Sequence, residues 1–392
     1  MFLSSKNNSK KVFLDFASST PIDKGVLDKM ESYNRKYFAN PSAIYSDALA
    51  SKEEIDIAKR DCAGLISCNP DEIIFTSGGT ESNNLAILGL FESFKKKDFK
   101  PHIITTNIEH PSVLEVCREI EKRGGEVTYL EVSDEGLVSA EDVSKAIKKE
   151  TILVSVMYAN NEIGTIQPIK EISKIIKKWQ SEEKTSLPYF HTDACQAVLY
   201  LSTDVSKIGV DMMTLDGLKM YGPRNTGILF VKKGIKLQPV IYGGGQQNGL
   251  RSGTEDVSSI SGMAFAMEIA NIHREKETQR LTSIRDYAIE NILKTFKGSS
   301  LNGSAKNRLP NNISICFEDQ DAEFLVIALD VVGISVSYSS SCRTLKEDSS
   351  SYVISALGKK ECPSSSLRIT LGRETKKNDL DYLVEKLKEI IK

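Results

Sequence analysis

The amino-acid sequence predicts an α/β protein in which helices cover a large, mostly parallel sheet and a smaller α+β unit follows. Short apolar runs alternate with amphipathic segments between about residues 70 and 235, which is typical of repeated strand–helix–strand units. A long helical pattern from about Ser258 to Lys297 leads into a few further strand-like segments. Because 392 residues exceed the usual size of one core, we expect two domains, with one large α/β unit as the alternative.

Each strand of the large sheet is predicted from a short apolar run bounded by polar or turn residues. The six runs are Ile73–Thr76, His102–Ile108, Ile152–Tyr158, Tyr189–Thr192, Met212–Leu215 and Gly227–Val231. Helical spacing of apolar residues predicts helices between several of them, at Glu81–Phe94, Ser112–Lys122, Ala140–Lys148 and Ile169–Gln180. Right-handed crossovers then place the carboxyl ends of the strands, and any ligand crevice, at one edge of the sheet.

The smaller unit is predicted from shorter patterns that follow the long helix. Strands are expected at Ile313–Phe317, Ser335–Tyr338 and Leu367–Leu371, and helices at Ala322–Val331 and Leu380–Ile391. Three serine triplets between residues 339 and 366 favour an exposed loop in this stretch.

Composition excludes several classes of protein. The formal net charge of −2 gives no electrostatic reason to expect a nucleic acid or an anionic membrane as the main partner. No apolar run reaches the roughly 20 residues that span a bilayer, and the first residues lack the apolar segment of a secretory signal. The seven cysteines are scattered and odd in number, which favours free thiols in a reducing, cytoplasmic compartment over disulfides or a permanent metal site.

A glycine-rich turn at residues 75–86, FTSGGTESNNLA, lies where the first strand runs into a helix. Glycine lets the backbone approach a ligand closely, and the free amides at a helix start favour an anion such as phosphate. The turn matches neither the GxxxxGKS nor the GxGxxG nucleotide motif. A plain turn with Thr80 as helix cap remains an equal alternative from this segment alone.

Two further strand ends place reactive groups at the same predicted edge. Asp193, in FHTDACQ, is a candidate to hold a proton on a heterocyclic nitrogen, with Gln196 three residues on; the alternative is a cap or surface turn. Lys219 lies after a strand and has the apolar neighbours Leu218 and Met220. Partial desolvation there would lower the pKa of its amine and make it nucleophilic. The alternative is a surface lysine whose stem packs on apolar neighbours.

Together these sites provide what pyridoxal phosphate requires. The phosphate needs amides, the pyridine nitrogen needs a carboxylate, and the aldehyde needs an amine for a Schiff base. His110, between a strand and a helix, is a candidate to stack on the ring and exchange protons, or else a solvated loop histidine. Asn161, at another strand end, is a candidate to bond the phenolic oxygen, or else forms an Asx turn.

At this point the chain resembles the cysteine desulfurases, in the class V aminotransferase group of fold-type I pyridoxal-phosphate enzymes. The likeness is in FTSGGTESNNLAI, EHPSVL, VSVMYANNEIGTIQPI, HTDACQ, LKMYGP and GGGQQNGLRSGTE, and it runs from about Phe13 to the C-terminus. It is closest to the iron–sulfur-assembly branch with the longer catalytic loop. The resemblance implies an N-terminal segment, residues 1–20, that packs with the small domain, a cofactor-binding domain at 21–262 and a small domain at 263–392.

The resemblance also implies roles for the residues around the cofactor. Lys219 would be the Schiff-base lysine, Asp193 would pair with the pyridine nitrogen and His110 would stack on the ring. Gln196 and Asn161 would bond the ring-oxygen side. Gly79 and Thr80 would hold the phosphate, helped by Thr254 from the second subunit of a homodimer.

Further roles concern the substrate and the sulfur. Arg368, in SSSLRITLGR, would grip the substrate carboxylate as a bidentate fork, and Asn40, in FANPSA, falls in a motif that lines the substrate entrance. Cys342 would be the nucleophilic cysteine and a possible transient ligand of a [2Fe–2S] cluster. From the residues alone, Cys342 follows a serine-rich stretch and adjoins Arg343, which favours the thiolate. Cys195 is tied to the strand end beside Asp193 and is the weaker candidate.

The chain departs from the family pattern just before the lysine. The family usually has Ser-x-His there, with side chains that bind the phosphate, whereas this chain has Asp216 and Leu218. A carboxylate near a phosphate is repulsive unless it is protonated, turned away or bridged by a basic group. The segment before the cysteine also differs, because Ser339-Ser340-Ser341 replaces a glycine-containing motif.

The predicted function is a cysteine desulfurase that converts L-cysteine to L-alanine and moves the sulfur to Cys342 as a persulfide. The acceptor would be an iron–sulfur scaffold or a tRNA-thiolating enzyme, and no direct nucleic-acid or membrane contact is expected. Two alternatives remain: another class V enzyme, such as a selenocysteine lyase or a small-amino-acid aminotransferase, and a non-catalytic relative suggested by Asp216 and Leu218.

Overall fold

A computed structural model describes residues 10–95, 99–338 and 350–391. In chain order its strands are β1 (Val12–Phe13), β2 (Ile73–Thr76), β3 (His102–Thr106), β4 (Glu126–Leu130), β5 (Thr151–Ser155), β6 (Tyr189–Asp193), β7 (Met212–Asp216), β8 (Gly227–Val231), β9 (Ser299–Leu301), β10 (Asn312–Phe317), β11 (Ile334–Ser335) and β12 (Ser366–Thr370). Its helices are α1 (Lys24–Lys36), α2 (Ser46–Ile66), α3 (Gly79–Phe94), α4 (Pro111–Lys122), α5 (Ala140–Ala146), α6 (Ile169–Glu182), α7 (Val205–Ile208), α8 (Val257–Thr295), α9 (Ala322–Val331), α10 (Tyr352–Ala356) and α11 (Lys377–Ile390).

The large sheet has seven strands in the order β2-β8-β7-β6-β5-β3-β4. Strands β7, β6, β5, β3 and β4 pair in parallel, and β8 runs antiparallel between β2 and β7. The central strands are buried along their whole length, because helices cover both faces. The predicted α/β class with a mostly parallel sheet is therefore confirmed.

Helices α1 and α2, which were not predicted from the sequence, pack against the long helix α8; the short helices α7 and α10 were not predicted either. Strand β4 was also missed, because its residues EVTYL are only partly buried at the sheet edge and form no continuous apolar run. Two predicted strands of the large sheet end earlier than expected, at Thr106 and Ser155. The remaining residues of those two apolar runs enter the loops at the carboxyl edge of the sheet.

The smaller C-terminal unit contains a three-stranded antiparallel sheet, β12-β10-β9, with its own apolar core. Strand β1 from the start of the chain pairs in parallel with β11 of this unit, and Asp15 bridges to Thr370. Helix α8 runs without interruption past residue 262, where the domain boundary is predicted. The division into domains stays a prediction, and one continuous helix links its two sides.

The expectation of free thiols is wrong for two cysteines. Cys316, on β10, and Cys362 form a disulfide with a Cα–Cα distance of 5.3 Å. A separation of 46 residues and the absence of any paired motif left no signal of this bond in the sequence. The cysteines described as free are Cys62, Cys68, Cys117 and Cys195.

Two further searches concern membranes and metals. None of the helices in the described ranges is long and apolar enough to cross a membrane. Within the same ranges, no three His, Cys, Asp or Glu side chains come together in a way that could hold a metal ion.

Candidate active site

A pocket opens at the carboxyl edge of the large sheet, where the N-terminal segment and β12 also approach. The predicted residues that line it are Gly79, Thr80, His110, Asn161, Asp193, Gln196, Lys219 and Arg368. They come from six separate segments of the chain, so the folded sheet brings together groups that lie far apart in the sequence. This is the edge at which parallel α/β sheets bind their ligands.

Asp193 ends strand β6 and is almost fully buried. Its Oδ2 accepts a hydrogen bond of 2.7 Å from the Asn83 side-chain amide, and its Oδ1 accepts one of 3.0 Å from the Cys195 main-chain N–H. These two donors hold the carboxylate in one orientation in the pocket wall. The sequence analysis missed Asn83, although it lies one turn along α3 from Gly79 and faces the same edge.

Lys219 lies in a short turn after β7, and its ammonium is held by the N-terminal segment. The Nζ atom donates to the carbonyl oxygens of Ala17, at 2.9 Å, and Ser18, at 2.6 Å. Gln196 donates to the same Ala17 carbonyl at 3.0 Å. The amine is therefore positioned in the pocket by main-chain acceptors and forms no ion pair with a carboxylate in the described part of the chain.

Arg368, on β12, has only 3% of its surface exposed. Its Nη2 donates to Asp15 Oδ1 at 2.8 Å and to Ser18 Oγ at 2.7 Å, and its Nη1 donates to the Asn161 carbonyl at 3.2 Å. Its Nε is buried with no hydrogen-bond partner among the described residues. A buried guanidinium at a pocket wall, whose one acidic partner in the described ranges is Asp15, suits an incoming carboxylate ligand.

His110 caps helix α4, and Pro111 follows it at the first helical position. The Ser112 main-chain N–H donates to His110 Nδ1 at 3.2 Å, so this nitrogen is unprotonated and the ring is neutral with its proton on Nε2. Burial lowers the pKa of His110, opposed by Asp193. A neutral, partly buried ring in the pocket wall is suited to stacking on a flat ligand.

Helix α3 begins at Gly79, directly after a turn in which Gly78 has φ of 134°. A Cβ atom on Gly79 would lie 2.8 Å from the sulfur of Cys195, so only glycine fits this close approach. The Gly79 amide donates to Asp216 Oδ2 at 3.0 Å. The predicted anion position at this helix start therefore faces a carboxylate of the chain itself.

Two predicted site residues in the described ranges, Asn40 and Thr254, do not line the pocket. Asn40 is exposed, and its side chain accepts a hydrogen bond of 3.0 Å from the Ser42 amide. Thr254 is exposed ahead of α8, and its predicted role needs a second subunit. Cys342 lies outside the described residues.

Pyridoxal phosphate fits the residues of this pocket. The set combines an oriented carboxylate, a neutral imidazole and an amine, which are the partners its pyridine nitrogen, ring face and aldehyde need. The buried Oδ1 of Asn83 has no hydrogen-bond partner among the described residues, which leaves an acceptor in the pocket wall for a ligand. The helix start at Gly79 suits the phosphate, but the Asp216 carboxylate that accepts from the Gly79 amide carries an unfavourable charge.

The sheet order, the pocket at its carboxyl edge and this donor set define an α/β enzyme of the pyridoxal-phosphate-dependent class. The family model "Aminotransferase class-V" matches residues 12–383, and the chain belongs to this family.

Curated relatives of high similarity are cysteine desulfurases. The cysteine desulfurase IscS of Dictyoglomus turgidum is 43% identical over 383 residues, which cover 97% of this chain and 95% of that protein. The cysteine desulfurase IscS of Methanosarcina thermophila is 41% identical and covers 98% of this chain and 92% of that protein.

Solved structures show the same likeness. The structure of a NifS-like protein superimposes with a TM-score of 0.89 at 32% identity. The match covers 97% of this chain and 99% of the NifS-like chain. A structure of SspA in complex with cysteine gives a TM-score of 0.78 at 34% identity and covers 92% and 99% of the two chains.

Proposed function

We propose that this chain is a pyridoxal-phosphate-dependent cysteine desulfurase that converts L-cysteine to L-alanine and passes the sulfur to an acceptor protein. The observation that carries the proposal is the convergence of Asp193, Lys219 and Arg368 on one pocket. Membership in the class V family and full-length similarity to IscS proteins support the substrate.

Arg368 is the residue that binds the substrate carboxylate. Its guanidinium is fixed by Asp15, Ser18 and the Asn161 carbonyl, so the planar fork is held in the pocket wall before the substrate arrives. Little side-chain entropy remains to be lost when the carboxylate binds. The carboxylate would supply a second negative charge beside a guanidinium that has one acidic partner in the described chain.

Lys219 is the residue that binds the cofactor and moves the proton. When bound, pyridoxal phosphate supplies an electron-withdrawing ring that stabilises negative charge at the α-carbon of the substrate. Lys219 Nζ would hold the cofactor through its aldehyde and, with the substrate bound, would take up the α-proton. Asp193 keeps the ring nitrogen protonated, and its two hydrogen-bond donors fix the carboxylate for that task.

Cys342 is the residue that takes the sulfur. Its thiolate attacks the substrate sulfur, a sulfur–sulfur bond forms as the carbon–sulfur bond breaks, and the carbon retains the electron pair and accepts a proton to become alanine. The product on the enzyme is a persulfide. The assignment rests on the sequence around Cys342, which lies outside the described residues.

The sulfur acceptor in this proposal is an iron–sulfur scaffold or a tRNA-thiolating enzyme. The active form is a homodimer in which Thr254 of the partner subunit helps to hold the phosphate. Its exposed position ahead of α8 is compatible with a role at a subunit boundary. The proposal places the enzyme in the cytoplasm.

The proposal is tested by incubating the cofactor-loaded protein with L-cysteine and measuring alanine and protein-bound persulfide. We expect one alanine for each sulfur released and a persulfide that maps to the peptide of Cys342. The C342A variant should lose both, while the matched C68A variant should retain them. Pyruvate or transferred amine in place of alanine would overturn the proposal in favour of another class V activity.

A further inference from the structure

Asp216 is the last residue of β7 and lies three residues before Lys219. Its Oδ2 accepts a hydrogen bond of 3.0 Å from the Gly79 amide, and its Oδ1 accepts one of 2.8 Å from the Leu218 amide. The side chain lines the pocket and is partly buried. The carboxylate is therefore held between the start of α3 and the turn that presents the lysine.

The Gly79 amide is the one through which a phosphate would bind at this helix start. Gly79 is the first residue of α3, so its main-chain N–H has no partner within the helix and is oriented for an anion. The Asp216 carboxylate also fills the space beside the turn, because a Cβ on Gly79 would lie 3.2 Å from its Oδ2 and one on Gly78 would lie 3.4 Å away. The chain thus supplies its own anion at this position.

The Asp216 carboxylate has no ion-pair partner among the described residues, 10–95, 99–338 and 350–391. The nearby Arg251 pairs with Glu81 in the first turn of α3, with Nε to Oε1 at 3.1 Å. A phosphate that enters this turn therefore meets two acidic groups. Asp216 already accepts from the Gly79 amide, and Glu81 is already paired with Arg251.

We propose that Asp216 is an internal competitor of the cofactor phosphate, which holds the phosphate subsite closed in the cofactor-free chain and must leave the Gly79 amide for the cofactor to bind. Asp216 is thereby a determinant of affinity and specificity that sets how much the phosphate contributes to cofactor binding. The inference rests on the proposed function, because it assumes that pyridoxal phosphate occupies this pocket. The inference concerns only the phosphate end of the cofactor, so an experiment can separate it from the proposed function.

The test compares the affinities of pyridoxal phosphate and of pyridoxal, which lacks the phosphate, for cofactor-free protein by isothermal titration calorimetry. Two variants are used: D216S opens the space and removes the charge, and D216N removes the charge while keeping the shape. We expect pyridoxal phosphate to bind about tenfold or more tightly to both variants than to the parent chain. Pyridoxal should change by less than about threefold, because it makes no contact with the amide.

A second measurement uses inorganic phosphate in place of the cofactor. Inorganic phosphate should raise the melting temperature of cofactor-free D216S more than that of the parent chain, because the freed Gly79 amide can bind it. The matched control is D204S. The Asp204 carboxylate also accepts hydrogen bonds at a helix start, from the main-chain amides of Ser206 and Lys207, but it does not line this pocket. D204S should leave both affinities unchanged.

The outcomes separate the two proposals. If the parent chain binds pyridoxal phosphate and neither D216S nor D216N binds it more tightly, the inference about Asp216 is wrong and the proposed function stands. If pyridoxal affinity rises as much as that of pyridoxal phosphate, the effect is not at the phosphate and the inference is also wrong. If neither the parent chain nor the variants bind the cofactor, the proposed function fails as well.

Discussion

The Nζ atom of Lys219 lies 2.6 Å from the carbonyl oxygen of Ser18. The hydroxyl of the same serine accepts a hydrogen bond of 2.7 Å from Arg368. One residue of the N-terminal segment therefore positions both the amine proposed to bind the cofactor and the guanidinium proposed to bind the substrate. This explains why the segment, which pairs with the small unit through β1 and β11, belongs to the active site.

The first prediction concerns substrate binding by Arg368. R368K keeps the charge but loses the fork that contacts Asp15, Ser18 and Asn161, so it should raise KM for L-cysteine by about 10–100-fold. The absorbance of the bound cofactor should not change. R373K is the matched control, because Arg373 pairs with Asp23 and does not line this pocket. Equal KM values for R368K and R373K would contradict the assignment.

The second prediction concerns the carboxylate of Asp193. D193N keeps the size of the side chain but has one acceptor oxygen, so it retains only one of the two hydrogen bonds that Asn83 and Cys195 donate to Asp193, and it cannot keep a proton on the ring nitrogen. We expect kcat to fall by about 100-fold or more, with cofactor still bound. Steady-state kinetics and cofactor content, measured on the same preparation, check this. A variant with full cofactor and near-normal kcat would exclude the proposed role.

The third prediction concerns thiol reactivity. Burial raises the pKa of the Cys195 thiol well above its usual value, and the carboxylates of Asp193 and Asp216 add to the effect. Cys195 should therefore remain a thiol and resist alkylation. Brief treatment with iodoacetamide followed by peptide mass mapping should label Cys342 well before Cys195. Faster labelling at Cys195 would reverse the assignment of the nucleophile.

The fourth prediction concerns pH and stability. Burial raises the pKa of Glu109 from 4.5 to about 8, and the Asp193 charge adds to this, while the hydrogen bonds that one of its oxygens accepts from Thr106 and Met157 oppose the shift. Its folded pKa exceeds the unfolded value, so the group costs stability progressively as pH rises from about 4.5 to about 8. E109Q lacks this titration. Its free energy of unfolding relative to the parent chain should rise by on the order of 5 kcal/mol over this window.

Urea unfolding at a series of pH values measures this difference. E182Q is the control, since Glu182 is a surface residue whose side chain is 61% exposed, and its difference from the parent chain should not depend on pH. A constant difference for E109Q as well would show that Glu109 ionises normally in the folded chain.

The sequence predicted the large sheet and most of the pocket because their signals are local. Buried parallel strands appear as apolar runs; Asp193 follows such a run directly, and Lys219 lies in the short turn after another. The edge strand β4 was missed because half-exposed residues give no such run. The bounds of the loops were also uncertain, because apolar residues continue past Thr106 and Ser155 into the buried loops of the site.

Other features depend on contacts between distant residues and left no local signal. Asn83 bonds Asp193 across 110 positions, and Cys316 bonds Cys362 across 46. The effect of Asp216 was open at the sequence level, because its direction relative to the phosphate turn was unknown. The hydrogen bond from the Gly79 amide shows that direction. It is the basis for proposing that Asp216 and the cofactor phosphate compete for this amide.

The most direct test of the account is the covalent link between Lys219 and the cofactor. Reduction of the cofactor-loaded protein with borohydride, followed by peptide mass mapping, should find the pyridoxyl group on the Lys219 peptide, and K219A should carry none. Label on another lysine, or no label in protein that has been saturated with the cofactor, would contradict the central claim.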